Sequence, residues 1–185
     1  MSAVLAAVKP PAGSSHSPLE VLAHLLSDLR DVIGLLLVQH YRAQPAARVS
    51  GSVGAHVRHT LDHVAALLSA IDGDELRYDH RKRGTTVEID PLTGVNEIER
   101  LLFRLDRLGH VEHAFLDAGV WLSTLLDPRQ PAVSVRTTLA REVAFVIQHT
   151  VHHCALIAVL LDWQGVRVPH GFGEAPATAR ARLAV

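Results

Sequence analysis

The sequence has almost no cysteine: one, Cys154, in 185 residues. A single thiol cannot form an intramolecular disulfide, so no covalent staple is expected, and a reducing cytoplasm is the compartment that suits such a chain. A basic block is missing too. The net charge is −1, which leaves no phosphate-neutralising surface of the kind nucleic acid needs. No stretch offers about 18 uncharged apolar residues in a row, so no membrane span is expected. The start, MSAVLAAVKPPAGSS, lacks the charged leader and long apolar run of a signal peptide. Internal repeats and low-complexity tracts are absent as well. What remains is a length and composition that suit one globular domain. One residue type is in excess: there are 13 histidines. Histidine binds metals, moves protons or senses pH.

Residues 1–16 read as a loose lead-in rich in proline, glycine and serine. Ser17-Pro18-Leu19-Glu20 then carries a capping serine, a proline at the first helical position and a glutamate that closes a capping box. The apolar spacing from Leu22 to Leu37 predicts a first helix reaching about Arg42. A second helix, capped by Ser50 or Ser52, carries Val53, Val57, Leu61, Val64, Leu67, Leu68 and Ile71 on one stripe and stops at Gly73. A polar connection, Asp74 to Asp90, leads to a third helix that starts near Pro91 or Gly94 and ends near Gly119. Alternating residues at 120–126 and 132–136, parted by Asp127-Pro128-Arg129-Gln130-Pro131, predict a short hairpin. Thr137 or Thr138 caps a fourth helix ending about Trp163, before Gly165, and residues 166–185 read as an irregular tail. The expected fold is all-α: a four-helix bundle over residues 17–165 with a hairpin before its last helix. The long connections permit an order other than simple up-and-down.

The fourth helix contains QHTVHHCAL, residues 148–156. Residues four apart differ by about 40° around a helix, so His149 and His153 share a face, and Phe145, Val146, Leu156, Ile157 and Leu160 make that face an inward one. His152 falls on the flank. Glu142 lies seven residues before His149 on the same stripe. The second helix holds a matching set, His56, His59 and His63, beside the inward Val57 and Leu67. Two helices of one bundle thus each turn histidines inward, which is how bundle cores build metal sites. A pair four apart supplies two neighbouring ligands, and one histidine from another helix completes a triad with open positions, the mark of a catalytic metal. Otherwise each buried imidazole needs its own hydrogen-bond partner.

HVRHTLDH on the second helix, with HTVHH on the fourth, resembles the DinB/YfiT-like superfamily of metal-dependent enzymes, over about residues 17–165. The resemblance implies a four-helix bundle with a crossover order and a divalent ion held by three histidines. Matched by position, these are His59 from the second helix and the pair His149 and His153 from the last. The pattern also resembles the HxxHT…HxxxH arrangement of the iron-binding domain in sulfoxide synthases of ergothioneine biosynthesis. The implied chemistry is hydrolysis, or transfer or isomerisation with a low-molecular-weight thiol, on a small-molecule substrate. Zinc, nickel and iron all suit imidazole, and bundles of this kind pair through helix faces, so a homodimer is expected.

The chain departs from the simplest pattern at His56, His63 and His152, which are extra. His63, one turn from His59, is an alternative ligand or a base. His63, His56 and Glu142 are the candidates for moving a proton or orienting a ligand imidazole. Cys154 stands where many members have an arginine, and is expected to pack as a small apolar residue. His110, Glu112 and His113 read as a solvated face. Tyr78 to Arg83 reads as a polar loop, or a lid in which Arg81 or Arg83 meets an acidic group. Trp121 and Trp163 are expected to pack.

Overall fold

The helix-start signal at Ser17 is realised in full. Its hydroxyl accepts from the Glu20 amide at 3.2 Å, and the Glu20 carboxylate accepts from the Ser17 amide at 2.8 Å. The structure is a computed structural model that describes residues 17–44, 49–79, 84–109 and 113–184. The lead-in, His80 to Arg83, His110 and Glu112 therefore lie outside the described residues, and with them the lid arginines. The described part is mostly helical, with six α-helices and one two-stranded antiparallel sheet. The helices are α1 (Pro18–Gly34), α2 (Val38–Arg42), α3 (Val53–Ile71), α4 (Pro91–Gly109), α5 (Leu139–Trp163) and α6 (Pro176–Leu183).

Two ends match the glycine signals closely. Past α3, Gly73 takes φ +106° and its amide bonds to the Ala70 carbonyl, while the Asp74 amide reaches Ser69. Past α5, Gly165 and Val166 repeat this, reaching Asp162 and Leu161. These are Schellman endings, in which a left-handed glycine turns the last carbonyls onto partners. At the other ends, Ser52 caps Ala55 at 3.1 Å and Thr138 caps Arg141 at 3.3 Å.

Four expectations need correction. The first helix does not run unbroken to Arg42: it stops at Gly34, and α2 begins only at Val38. The break turns the chain so that Tyr41 enters the core. There its ring is fully buried, lies against Gly54 and Gly94, and donates its hydroxyl to the Val87 carbonyl at 2.8 Å. The third helix ends at Gly109, not near Gly119, and a 3₁₀ turn follows at His113–Asp117. The tail is not wholly irregular, since α6 forms within it, with Pro176 in its first turn. Trp121 and Trp163 are more than half exposed rather than packed.

The hairpin forms as expected, from β1 (Gly119–Thr124) and β2 (Val133–Thr138), with Leu122 opposite Val135. Leu76, fully buried, docks on the free edge of β1 through the Trp121 carbonyl and the Ser123 amide. This pins the connection that carries Tyr78.

The long helices share one core. α1 packs on α4 and α5, and α3 packs on α5 and α4. Consecutive long helices are therefore not all neighbours: the principal contacts run α1–α4–α3–α5 and back to α1. α5 touches two helices and needs an apolar surface on both sides. Val143 to Leu161 carries no formal charge, and among the described residues α5 alone could cross a membrane by length and composition, with a mean hydropathy of 1.7. Gln148, His149, Thr150, His152 and His153 interrupt that run.

Candidate metal centre

Contacts between α3 and α5 run in opposite senses along the two chains. His56 meets His153, His59 meets both His153 and His149, and His63 meets His149 and Phe145. The helices are thus antiparallel, and their histidine stripes face each other. A threonine follows the ligand candidate in each helix. Thr60 and Thr150 are buried, and each donates its hydroxyl to the carbonyl four residues back, His56 at 3.0 Å and Val146 at 2.8 Å. Their polarity is satisfied inside their own helix, so these small side chains can fill the interior beside the imidazoles.

His59, His149 and His153 form a nearly equilateral triangle. Ring centres stand 4.9 Å apart for His59 and His149, 4.6 Å for His59 and His153, and 4.5 Å for His149 and His153. One nitrogen from each lies within 4.8 Å of the other two. Nε2 of His149 and Nε2 of His59 are 3.1 Å apart. Two nitrogens held by one ion at about 2.0–2.1 Å stand about 3 Å apart when they are neighbours, so this pair fits. The third nitrogen, no more than 4.8 Å from the others, must close by at most about 1.8 Å. Three imidazoles, two half-buried and one buried, are a donor set for a divalent transition metal.

Burial makes one of the three, His153, chemically ready for an ion. It pushes the His153 imidazole down to about 2, helped by the repulsion it would feel from His149, His59, His56 and His152 if charged. His56 is lowered by burial as well, against a raising contact with the Ser50 backbone. Both rings are neutral at ordinary pH, and a neutral imidazole is what a metal requires.

The remaining candidates fall into two groups. His63 is buried and donates Nδ1–H to the His59 carbonyl at 2.9 Å. Its ring lies between His149, 4.1 Å away, and Tyr78, stacked at 4.9 Å. His56 sits at the opposite end, with its Nδ1 2.9 Å from Nδ1 of His153. Glu142 is not among the imidazoles. It is fully buried and accepts from the Tyr78 hydroxyl at 2.9 Å, the Thr137 hydroxyl at 2.8 Å and Arg141 at 2.7 Å. It reaches the histidines through Tyr78, which stacks on His63. His152 is exposed on the flank, as expected. Cys154 is buried, and burial, then the Asp28 carboxylate, pushes its thiol up to about 12.

Tyr78 is the contributor that spacing could not find, since it was read as part of a polar loop. With Phe145, whose ring lies 5.2 Å away, it makes an aromatic wall beside His63 and His149. Burial, then Glu142, raises its hydroxyl well above the usual phenol range, so it stays a neutral donor. Three clefts, of about 500, 540 and 630 Å³, have linings without these histidines.

Comparison of the chain with family models, with curated proteins and with solved structures gives no match.

Proposed function

We propose that the chain is a metal-dependent enzyme of the DinB/YfiT-like kind, with a divalent ion held by His59, His149 and His153. One observation carries this: three imidazoles from two antiparallel helices bring a nitrogen each within 4.8 Å of the others. The order of helix contacts, with α1 neighbouring α4 and α5 rather than α3, supports the reading of α1, α3, α4 and α5 as a crossover four-helix bundle. Zinc, nickel or iron bound there supplies a Lewis acid, which lowers the pKa of water or of a low-molecular-weight thiol towards neutrality. The chain's own residues do the rest. His59 and His149 are half-buried, so a small substrate approaches across them. His63, with Nδ1–H committed to a carbonyl, carries its lone pair on Nε2 and takes a proton there. Tyr78 and Phe145 wall that side, and Glu142 holds Tyr78 in place. The reaction is hydrolysis or thiol transfer.

The same reading takes the protein as cytoplasmic, on its single buried thiol, and as a homodimer, on the exposed Leu92 and Phe103 of α4. A second reading, a metal-binding protein without catalysis, needs only the three imidazoles. Elemental analysis of untagged protein comes first, with one ion per chain expected in the wild type and none in His149→Ala. The loaded protein is then assayed with activated esters and with cysteine plus an electrophile. Turnover that needs the ion and falls in His63→Gln supports the enzyme. An ion without turnover in either assay supports the second reading. No uptake of zinc, nickel or iron(II) would sink both.

A further inference from the structure

His56 and His153 present the same kind of atom to each other, Nδ1 to Nδ1 at 2.9 Å, inside the protein. Two lone pairs at that distance repel, and so do two N–H groups. One ring must donate and the other accept, so each is locked as a single tautomer. The proposed ion settles which: a neutral imidazole that gives Nε2 to an ion carries its proton on Nδ1, so Nδ1 of His153 is the donor and Nδ1 of His56 the acceptor. Neutral His56 then carries its own proton on Nε2, which is buried beside Gly51 without a hydrogen-bond partner among the described residues.

We infer that His56 is a positioning residue: it accepts Nδ1–H from His153, fixes that ring in one tautomer, and so turns the Nε2 lone pair of His153 towards His59 and His149. Ligand imidazoles commonly give their other N–H to a carboxylate, a carbonyl or water. Here a second imidazole, from α3, fills that role. A neutral acceptor polarises the ligand ring less than a carboxylate would. The inference deepens the three-histidine reading and rests on it for the direction of the hydrogen bond, but the 2.9 Å contact between the two rings is present without an ion.

The test is nitrogen-15 NMR of histidine-labelled wild-type protein at pH 7.5, first in chelator and then with one equivalent of zinc. The expected result is a slowly exchanging proton on Nδ1 of His153 in both samples, with Nε2 shifted by zinc in the second. A proton on Nε2 of His153 in chelator overturns the inference. If zinc shifts no histidine while the Nδ1 proton is present, the metal reading fails and the tautomer lock stands. Zinc affinity by competition titration then separates positioning from packing. His56→Leu is expected to lose about 10–100-fold in affinity with one site per chain kept. His56→Asn, whose Oδ1 stands where Nδ1 was, is expected to stay within a few-fold of the wild type. Equal affinity in folded His56→Leu and wild type overturns the positioning role, as does equal loss in both variants.

Discussion

At the scale of single residues, the spacing of histidines in the sequence narrows the ligand set to His149, His153 and one of two residues on the other helix. It leaves His59 and His63 open, because both face inward one turn apart. The geometry favours His59: its Nε2 stands 3.1 Å from Nε2 of His149, and His59, not His63, shares with His149 and His153 the cluster of three nitrogens within 4.8 Å of one another. His59→Ala is therefore expected to abolish binding of the ion, and His63→Ala to keep one ion per chain, as counted by elemental analysis after gel filtration. The reverse result would reassign the ligand. Cys154 is a second residue whose part is set by surroundings. A thiol held up at about 12 by burial and by Asp28 is almost all protonated at pH 8, and the thiolate is the nucleophile. Labelling by a maleimide reagent at pH 8 should be negligible over minutes in the folded protein and complete in 6 M guanidinium. Rapid native labelling would mean that the α5 interior opens readily.

At the scale of elements, helix starts and stops were the most legible features, because serine, threonine and glycine act within a few residues of themselves. The break after Gly34 was not, since Leu35-Leu36-Leu37-Val38 contains no breaker. It exists for a distant reason, the seating of Tyr41 between α3, α4 and the Val87 carbonyl. Two glycines make room for that ring. At Gly54 a Cβ would stand 2.1 Å from the Glu88 carbonyl oxygen and 2.5 Å from the Tyr41 ring. Alanine favours a helix interior by about 1 kcal/mol over glycine, yet overpacking costs roughly 1–3 kcal/mol or more. Backbone cannot yield as a flexible side-chain end can, so Gly54→Ala should destabilise the protein, by about 1–2 kcal/mol in urea unfolding. An unchanged or higher midpoint would show that the 84–90 connection is easily displaced. The end of α4 was illegible for the opposite reason: Val111 and Phe115 continue the apolar spacing, yet a 3₁₀ turn stands at His113–Asp117.

For the whole molecule, the sequence indicated helical class and hairpin but not the order of helix packing, because the connections are long enough for several. The buried imidazoles also shape the stability of the molecule with pH. His153 is held down to about 2, and His56 is lowered too, while both titrate near 6.5 in an unfolded chain. Below that value the unfolded chain binds protons that the folded one refuses, so stability is full above about pH 6.5 and is lost as pH falls towards the folded values. His153 alone accounts for about 2 kcal/mol at pH 5 by this linkage. Urea midpoints measured in chelator at pH 7.5, 6 and 5 should fall steadily, and less steeply in His153→Gln. A flat series would show that water reaches the imidazoles.

The wide separation of the two histidine stripes along the chain has a consequence for the protein's birth. His59 and His149 are 90 residues apart, and at synthesis rates of about 5–20 residues per second the second appears roughly 5–20 seconds after the first. During that interval α3 has left the ribosome with three imidazoles and an apolar stripe, but without the helix that covers them. His149 and His153 both arrive with α5, so an ion held by the three imidazoles would find only one of them before the last long helix is made. Loading of such an ion would thus follow synthesis of α5.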